Sequence, residues 1–314
     1  NQLEDPRSTV NQRHLLGDLI VICIMGVIAG ADGPLAIGIW AKNNKRWLMQ
    51  RLQLPNGIPS HDTIGRLLAA LSPVGFQSCF ESWIASITVG EDKVDLRQIA
   101  VDGKVLRRSH DKRNGLGPLW LVSAWGVDRG ISLGQLATDE KSNEITAIPQ
   151  LLANLELTDS VVTIDAAGCQ RAIARQIIDA KGDYVFSLKG NQSKLQDAVS
   201  SYMETHMENN FAYIKARTFM ETLKGHGRVD EITYYQMPVP ADLVNRELGA
   251  GLKAIGVAIR ISQCGDVCTS EVRYYISSIG MGVKRFGRLV RGHWAIENTL
   301  HWCLDVTFRE DESR

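Results

Sequence analysis

Apolar residues recur along the first 95 positions at the three- and four-residue spacing of helices. This pattern predicts four helices, at about 10–30, 33–50, 61–71 and 73–88. Ser60 precedes the third helix as a predicted N-cap, and Ser72 precedes Pro73 at the start of the fourth. Two interpretations stay open for this last pair: a helix-turn-helix-like DNA-binding element, or two helices that only pack together. We therefore predict a helical N-terminal domain over residues 1–95.

Beyond residue 96 short apolar strands replace the helical pattern. Three predicted strands come first, and a helix, a strand, a helix and a strand follow up to residue 192. This order predicts an α/β fold in which three antiparallel strands feed a parallel part. Asp102 and Asp165 follow the first and fourth strands, so we expect both carboxylates at strand ends on one edge of the sheet.

The alternation of strands and helices stops at residues 193–275, which we interpret as a mainly β insertion. A helix at 193–209 is followed by four strand-like stretches, at about 211–220, 228–238, 254–263 and 270–278. The remaining segment, 276–314, returns to the first sheet with a final helix at about 284–303.

The final helix carries an acidic residue within its apolar stripe. At 3.6 residues per turn, Val290, Trp294, Leu304 and Phe308 share one face, and Glu297 falls among them. An unpaired buried carboxylate is costly, so the pattern predicts that Glu297 faces a metal ion or a partner in the core.

Three carboxylates that face one point repel one another unless divalent cations lie between them. Oxygen ligands favour Mg²⁺ or Mn²⁺, and two such ions about 3.5–4 Å apart suit displacement at phosphorus. Asp102, Asp165 and Glu297 are therefore the candidate metal ligands and catalytic residues. The competing interpretation is that each Asp is only a turn residue, as Asp commonly is after a strand.

Composition restricts the classes of protein to which the chain can belong, but it does not indicate a function. Lys and Arg equal Asp and Glu at 35 each, so net charge favours no class of partner. The six cysteines show no disulfide or zinc spacing, which is typical of reduced thiols in the cytoplasm. The apolar run 19–31 is too short to span a membrane and has no signal-peptide pattern, so a buried helix is predicted there.

Several sequence blocks resemble one known family over nearly the whole chain. They read VDGKVLRRSHDK, TDEKSNEITAIPQLL, TIDAAGCQRAIARQI, GDYVFSLKGNQ, HGRVDE, VRYYISS and HWAIENTLHWCLDVTFRED, with DPR and IPSHDTIGRLL near the start. In this order they resemble the insertion-sequence transposases of the ISAs type, also called H-repeat-associated proteins.

The resemblance implies an RNase H-like mixed sheet flanked by helices, with a helical N-terminal domain and a β-rich insertion before the last catalytic helix. It also implies a DDE triad on Asp102, Asp165 and Glu297, with Mg²⁺-dependent cleavage and strand transfer on double-stranded DNA. A dimer on DNA is expected because transposition pairs two ends, and the location expected is the cytoplasm, associated with the nucleoid.

The chain departs from the pattern of related DDE enzymes in two ways. Those enzymes place a Tyr and an Arg on the turns before the catalytic Glu, whereas Val290 and His293 stand at these offsets. The chain also stops at Arg314, where the family typically continues for several helical turns. Two alternatives to an active transposase therefore stay open: a remnant that only binds DNA, and an RNase H-like nuclease without strand transfer.

Basic and polar residues cluster beside the triad positions, as binding to a phosphodiester backbone requires. The candidate DNA-binding residues are Lys104, Arg107, Arg108, Lys189, Asn191, Gln192, His226, Arg228, Arg288, Arg291 and His293. The alternatives are a solvated helix face, a polar turn at Gly190 and a Gly-rich hairpin at position 226. Trp294 is predicted to stack on an extruded base or to pack in the core.

Overall fold

The structure is a computed structural model that describes residues 3–88, 97–110, 115, 117–138, 144–225, 227–246 and 249–312. The chain divides into two compact units, residues 1–91 with 302–313, and residues 92–301. The finer division into four parts stays a prediction.

The first unit is helical. Its helices are α1 (Leu16–Ile28), α2 (Pro34–Asn43), α3 (Lys45–Leu48), α4 (His61–Ala70) and α5 (Pro73–Thr88). Both predicted caps are confirmed, because Thr63 N donates to Ser60 Oγ at 3.2 Å and Gly75 N donates to Ser72 Oγ at 3.1 Å. The helix predicted over 33–50 is instead interrupted at Asn44, whose side-chain amide donates to Trp40 O at 2.9 Å.

The second unit is built on one nine-stranded mixed sheet. The order across it is β3-β2-β1-β4-β5-β9-β8-β7-β6. The first five strands are β1 (Arg97–Val105), β2 (Trp120–Gly126), β3 (Ile131–Thr138), β4 (Ser160–Ile164) and β5 (Asp183–Leu188). β1, β4 and β5 run parallel, while β2 and β3 join the β1 edge antiparallel. The predicted mixed core, three antiparallel strands feeding a parallel part, is confirmed.

The inserted segment extends the same sheet instead of forming a separate one. Its strands are β6 (Arg217–Gly225), β7 (Arg228–Pro238), β8 (Ala254–Cys264) and β9 (Val267–Ser277). They are antiparallel throughout, and β9 joins the core with Val185 opposite Ser277. The β-rich insertion is thus confirmed, although its first strand begins at Arg217, later than predicted.

Helices cover both faces of the sheet, as apolar residues on both sides of the parallel strands require. Helices α6 (Glu144–Ala153), α7 (Arg171–Asp179) and α8 (Ser193–Glu208) bury Leu151, Ile177 and Val199 in one core. Helix α9 (Val283–Ala295) buries Phe286 and Leu289 in the other.

Glycines set how closely α9 approaches the sheet. A Cβ on Gly256 of β8 would lie 2.3 Å from the Phe286 ring, and one on Gly287 of α9 would lie 2.9 Å from the Tyr234 ring. A Cβ on Gly292 would lie 2.2 Å from Gln98 Oε1. Glycine inside a helix costs about 1 kcal/mol relative to alanine, so Gly287 and Gly292 have a packing reason to be there.

Gly256→Ala is therefore expected to destabilise the protein by about 3 kcal/mol, because the Phe286 ring and the helix behind it have to shift. Urea unfolding followed by circular dichroism measures the loss. Gly280→Ala is the matched control, since a Cβ there meets nothing within 4 Å. Equal stability of the two variants would contradict this account of α9 docking.

The final helix is not one continuous α-helix. A π-helical turn, Ile296–His301, follows α9, and the short α10 (Trp302–Val306) follows that turn within the first unit. Wider π-helical turns break the 3.6-residue period, so the stripe predicted from Val290 to Phe308 does not hold. Ile296 is the buried residue, while Glu297 and Phe308 are exposed. The prediction that Glu297 points into the core is wrong.

The apolar run 19–31 forms most of α1, with Leu19 and Ile22 fully buried. Within the described ranges, no helix combines the length and the apolar character that crossing a membrane would take.

Candidate active site

The strand register places Asp102 and Asp165 side by side. Val101 of β1 is paired with Ile164 of β4; Asp102 is the next residue of β1, and Asp165 is the first residue after β4. Neighbouring strands are about 4.8 Å apart, so the two side chains start from adjacent backbone positions. Asp102 does not lie at a strand end as predicted, because β1 continues to Val105 against β2, with Ser123 opposite Asp102.

Glu297 reaches the same region from the π-helical turn after α9. It lines one cavity of about 50 Å³ together with Asp165, Lys189 and His293. It also lines a larger cavity on the side of the inserted strands. Exposure at this turn therefore gives its carboxylate access to solvent and to a ligand.

The three carboxylates act on one another electrostatically. Burial, followed by the charges of Asp165 and Glu297, raises the pKa of Asp102 to about 7. The pKa of a carboxyl group rises in this way when other carboxylates lie nearby and no cation lies between them. The donor set consists of carboxylates, which suits Mg²⁺ or Mn²⁺ better than zinc.

Within the described residues, no three His, Cys, Asp or Glu side chains converge closely enough to hold an ion as they stand. Mutual repulsion keeps like charges apart, so closer convergence requires a countercharge between them. The adjacent backbone positions and the charge coupling fit a divalent cation.

The loop that carries Asp165 is held by its own backbone and by the next loop. Ala167 N donates to Asp165 Oδ1 at 2.9 Å, and Gln192 Nε2 donates to Cys169 O at 3.1 Å. Asn191 Nδ2 donates to Ala166 O in the same loop. Asn191 and Gln192 thus brace the Asp165 loop, and direct DNA contacts by these amides stay a prediction.

Lys189 lies beside Asp165, with Nζ 3.9 Å from Oδ2. Both side chains are partly exposed, so this is a loose pair rather than a buried salt bridge. Lys189 can therefore turn toward a phosphate beside the carboxylates.

His293 does not supply a positive charge. Its Nδ1 lies 3.2 Å from Thr163 Oγ1, and burial lowers its pKa to about 4 in spite of nearby Asp165. The imidazole is therefore neutral at pH 7. Buried Gln98 donates from Nε2 to Thr163 Oγ1 at 3.1 Å and to Leu289 O at 2.8 Å, which ties α9 to the strands beneath it.

Two further groups lie near Asp102, and of these the sequence pattern indicated only His301, as a group that flanks the triad. His301, at the end of the π-helical turn, has Nδ1 3.7 Å from Asp102 Oδ2. Glu144 is buried at the start of α6, and its carboxylate leaves no room for a Cβ on Gly103. The only sequence signal for Glu144 is its place in a block that resembles the transposase family.

A cavity of about 870 Å³ lies on the inserted side of Glu297. It is lined by five arginines, Arg228, Arg260, Arg273, Arg288 and Arg291. Three of these, Arg228, Arg288 and Arg291, were predicted to bind DNA, and all three line this same cavity. Arg228 pairs with Asp230 at 3.0 Å and Arg291 pairs with Glu221 at 2.8 Å, while Arg288 is exposed.

Arg260 and Arg273 are the unpredicted members of this cavity. They lie on neighbouring strands, and their guanidinium carbons are 5.8 and 5.0 Å from the centroid of the Trp294 ring. Arg273 also lines the small cavity that holds Asp165 and Glu297. Trp294 packs against the core beneath α9, which confirms the predicted core packing, and its ring also faces two arginines. Stacking on an extruded base stays a prediction.

The cations at the end of β1 and in the turn after it differ in accessibility. Lys104 is buried, whereas Arg107 and Arg108 are exposed in the turn after the strand. A buried lysine is poorly placed to reach a DNA backbone, so Lys104 is not among the proposed DNA contacts. His226, another predicted contact, lies outside the described residues.

Comparison with known proteins gives two family matches. Residues 94–314 match the family described as "Transposase DDE domain", and residues 1–84 match the one described as "DDE_Tnp_1-associated".

Curated relatives extend the likeness to nearly the whole chain. The "H repeat-associated putative transposase YhhI" of Escherichia coli (strain K12) is 37% identical over 99% of this chain and 82% of its own length. The "Uncharacterized protein in dhlA 3'region" of Xanthobacter autotrophicus is 44% identical over 88% of this chain and 92% of its own length. Among solved structures, the sugar N-methyltransferase KedS8 from Streptoalloteichus sp ATCC 53650 aligns over 44% of this chain and 49% of its own, with 9% identity and a TM-score of 0.15. That score is too low to bear on the fold.

Proposed function

Because the chain belongs to the transposase DDE domain family, we propose that it cleaves DNA at insertion-sequence ends and joins the freed strand to a target. The observation that carries this proposal is the placement of Asp102 beside Asp165, with the charges of Asp165 and Glu297 raising the pKa of Asp102. A cluster of this kind is suited to divalent cations at a phosphodiester.

Asp102, Asp165 and Glu297 would hold Mg²⁺ or Mn²⁺, two ions in the proposal. When bound, such ions activate the attacking oxygen and stabilise the leaving oxygen. The chain itself sets the positions of these carboxylates. The β1–β4 register fixes the two Asp residues, and the close docking of α9 brings the π-helical turn with Glu297 to them.

The DNA backbone would run from the carboxylates into the arginine-lined cavity. Cationic side chains on phosphates provide sequence-independent affinity, and Arg forms paired hydrogen bonds with phosphate oxygens. Arg273 lines both cavities at Glu297, so it is the arginine best placed to bind the reacting phosphate. It would supply the cation that neutral His293 cannot.

On the other side of the carboxylates, Lys189 and the exposed Arg107 and Arg108 would contact the strand that leaves the centre. A dimer on double-stranded DNA belongs to the proposal, because joining requires two ends to be held together. The proposed location is the nucleoid in the cytoplasm, where this DNA is found.

The experiment that tests this function is incubation of the chain with a duplex carrying the genomic repeats that flank its gene, with Mn²⁺. Denaturing gels then score nicked and joined products. Nicks at the repeat boundary and joined strands are expected, since the proposed reaction needs water first and a DNA 3′-hydroxyl second. Nicks without joining would instead indicate a nuclease of this fold.

The second candidate function is DNA binding without catalysis. It is favoured by position 293, where a neutral, half-buried histidine stands in place of the arginine that related enzymes carry. Stable binding of the same duplex with no nicking in Mg²⁺ or Mn²⁺ would support this candidate and contradict the first.

A further inference from the structure

Two buried polar side chains lie in the otherwise apolar layer between the sheet and α9. Gln98 of β1 and Thr163 of β4 are each only 2% exposed. Their neighbours in this layer are apolar, among them Val161, Leu289 and Val290. A buried polar side chain costs free energy unless it is hydrogen-bonded, and apolar side chains of the same shape are often equally stabilising. The presence of this pair therefore indicates a role besides stability.

Gln98 is hydrogen-bonded to β4, to α9 and to the turn between β2 and β3. Its Nε2 donates to Thr163 Oγ1 at 3.1 Å and to Leu289 O at 2.8 Å. Its backbone N donates to Asp128 Oδ2 at 2.9 Å. Gly292 makes room for the amide, because a Cβ there would lie 2.2 Å from Gln98 Oε1. Hydrogen bonds are directional and apolar packing is not, so Gln98 restricts how α9 can slide or rotate over the strands.

The face of β1 that carries Gln98 follows α9 and the π-helical turn step by step. Gln98, Ala100 and Asp102 alternate along this face. Gln98 is bonded to α9, Ala100 shares an apolar cluster with Ile296, and Asp102 Oδ2 lies 3.7 Å from His301 Nδ1. Two strand residues span about 6.7 Å and one helical turn about 5.4 Å, so each step on β1 meets about one turn. A slip of α9 at Gln98 would therefore also move the residues above Asp102.

Thr163 has the corresponding position on β4. It stands two residues before Asp165, on the same face of the strand, and its Oγ1 lies 3.2 Å from His293 Nδ1. Glu297 follows His293 by four residues, early in the π-helical turn. Each of the two strands that position an Asp of the centre thus also holds α9 directly before the turn that carries Glu297.

We propose that Gln98 and Thr163 are positioning residues of the carboxylate centre. They fix the register of α9 on β1 and β4 and thereby place Glu297 beside the two Asp residues. This inference rests on the proposed function, since it assigns the pair to the binding of that centre's divalent cations. It deepens that function by naming two side chains that act only through the elements that carry the carboxylates.

Another buried glutamine provides a matched control at the other end of α9. Gln236 of β7 is fully buried, its Nε2 donates to Gly280 O at 3.2 Å, and its Oε1 accepts from Gly282 N at 2.6 Å. Gln98→Met and Gln236→Met each keep an unbranched side chain and remove two buried hydrogen bonds to groups at α9 or the strand beneath it. Both should therefore lower the urea midpoint, which measures the loss of stability that the two variants share.

The first measurement is hydrogen exchange of the full chain in EDTA, followed by mass spectrometry. Gln98→Met should speed exchange of the amides in Ile296–His301 roughly 10-fold, because the lost bonds hold α9 directly before this turn. Gln236→Met should leave this segment at the wild-type rate and speed exchange at the start of α9. Wild-type exchange of the turn in Gln98→Met would overturn the proposal, and so would equal acceleration in both variants.

The second measurement is the affinity for Mn²⁺, read from the electron paramagnetic resonance signal of the free ion. Gln98→Met and Thr163→Val are each expected to weaken Mn²⁺ binding roughly 10-fold or more, as loss of a group that orients a metal ligand does. Gln236→Met should bind Mn²⁺ like the wild type, and so should Thr163→Ser, which keeps the hydroxyl. Wild-type affinity in Gln98→Met, or no rescue by Thr163→Ser, would contradict the assignment.

Nicking of the repeat-bearing duplex separates this inference from the proposed function. In Gln98→Met the loss should fall on kcat, with KM for the duplex unchanged, because the pair acts on the metal ligands and not on the DNA contacts. An active wild type with an equally active Gln98→Met would overturn only this inference. A wild type that neither binds Mn²⁺ nor nicks would overturn the proposed function, and hydrogen exchange would still decide whether Gln98 positions the turn.

Discussion

Asp165→Asn is expected to lower Mn²⁺-dependent nicking of repeat-bearing DNA by about 10³-fold or more, the scale on which removal of a central catalytic group acts. The substitution keeps the side-chain oxygen that accepts from Ala167 N, so the loop after β4 should keep its conformation. It removes the negative charge that faces Lys189 and contributes to the raised pKa of Asp102. The loss should therefore fall on catalysis rather than on folding.

A control for this substitution lies on the same parallel strands. Asp183 begins β5, at the opposite edge of the sheet from Asp165, and its Oδ1 accepts from Ser278 Oγ at 2.7 Å. Asp183→Asn makes the same change of charge and should nick DNA at the wild-type rate. If Asp165→Asn also cleaved like the wild type, the carboxylate centre would be assigned to the wrong residues.

Strand order made the pair of Asp residues predictable. Helix α6 carries the chain from β3 back past the three antiparallel strands, so β4 pairs with β1 in parallel and the residues that follow matching positions come together. The continuation of β1 past Asp102 was not predictable, because β2 supplies its partners there. Local sequence thus identified the neighbours of Asp102 but not the end of its strand.

The predicted orientation of Glu297 was wrong for a different reason. A helical wheel assumes one period from end to end, and the π-helical turn at Ile296–His301 changes that period. No residue in this turn is a helix breaker such as Gly or Pro, so the sequence gives little signal for it. Glu297 was still selected, because its sequence block carries the resemblance to DDE transposases.

Arg260 and Arg273 could not be predicted because their roles depend on register and packing. Both alternate with apolar residues on strands β8 and β9, and only the pairing of those strands places both guanidiniums near Trp294. Lys104 shows the converse: it follows Asp102 by two residues in a basic cluster, yet it is buried in β1. Charge clustering in sequence therefore indicated the region but not the accessible residues.

Asp102→Asn is expected to stabilise the metal-free protein at pH 8 and to weaken its stabilisation by a divalent metal. The pKa of Asp102 rises from an ordinary value of 3.8 to about 7 in the folded chain, and its side chain is 17% exposed. Between these two pH values the folded state binds more protons than the unfolded state, so the free energy of unfolding falls as pH rises. The full penalty is present above pH 7, at up to about 4 kcal/mol for a shift of this size.

Removing the charge removes that penalty. In EDTA at pH 8, Asp102→Asn should therefore raise the free energy of unfolding by about 2–4 kcal/mol, whereas near pH 4 it should have almost no effect. Urea unfolding at the two pH values measures the difference. Asp183→Asn is again the control, because it removes one carboxylate charge away from Asp165 and Glu297; an equal contrast in that variant would contradict this account of Asp102.

Addition of Mn²⁺ at pH 8 should reverse the order of the two proteins. A ligand that binds only the folded state stabilises it by RT ln(1 + [L]/Kd), so 100 times Kd contributes about 2.7 kcal/mol to the wild type. The variant lacks one of the three proposed carboxylate ligands, and its unfolding midpoint should move far less. If Asp102→Asn were less stable than wild type in EDTA, or if Mn²⁺ moved both midpoints equally, Asp102 would be a structural acid rather than a metal ligand. The same carboxylate repulsion that weakens the metal-free fold thus makes metal binding measurable without any assay of cleavage.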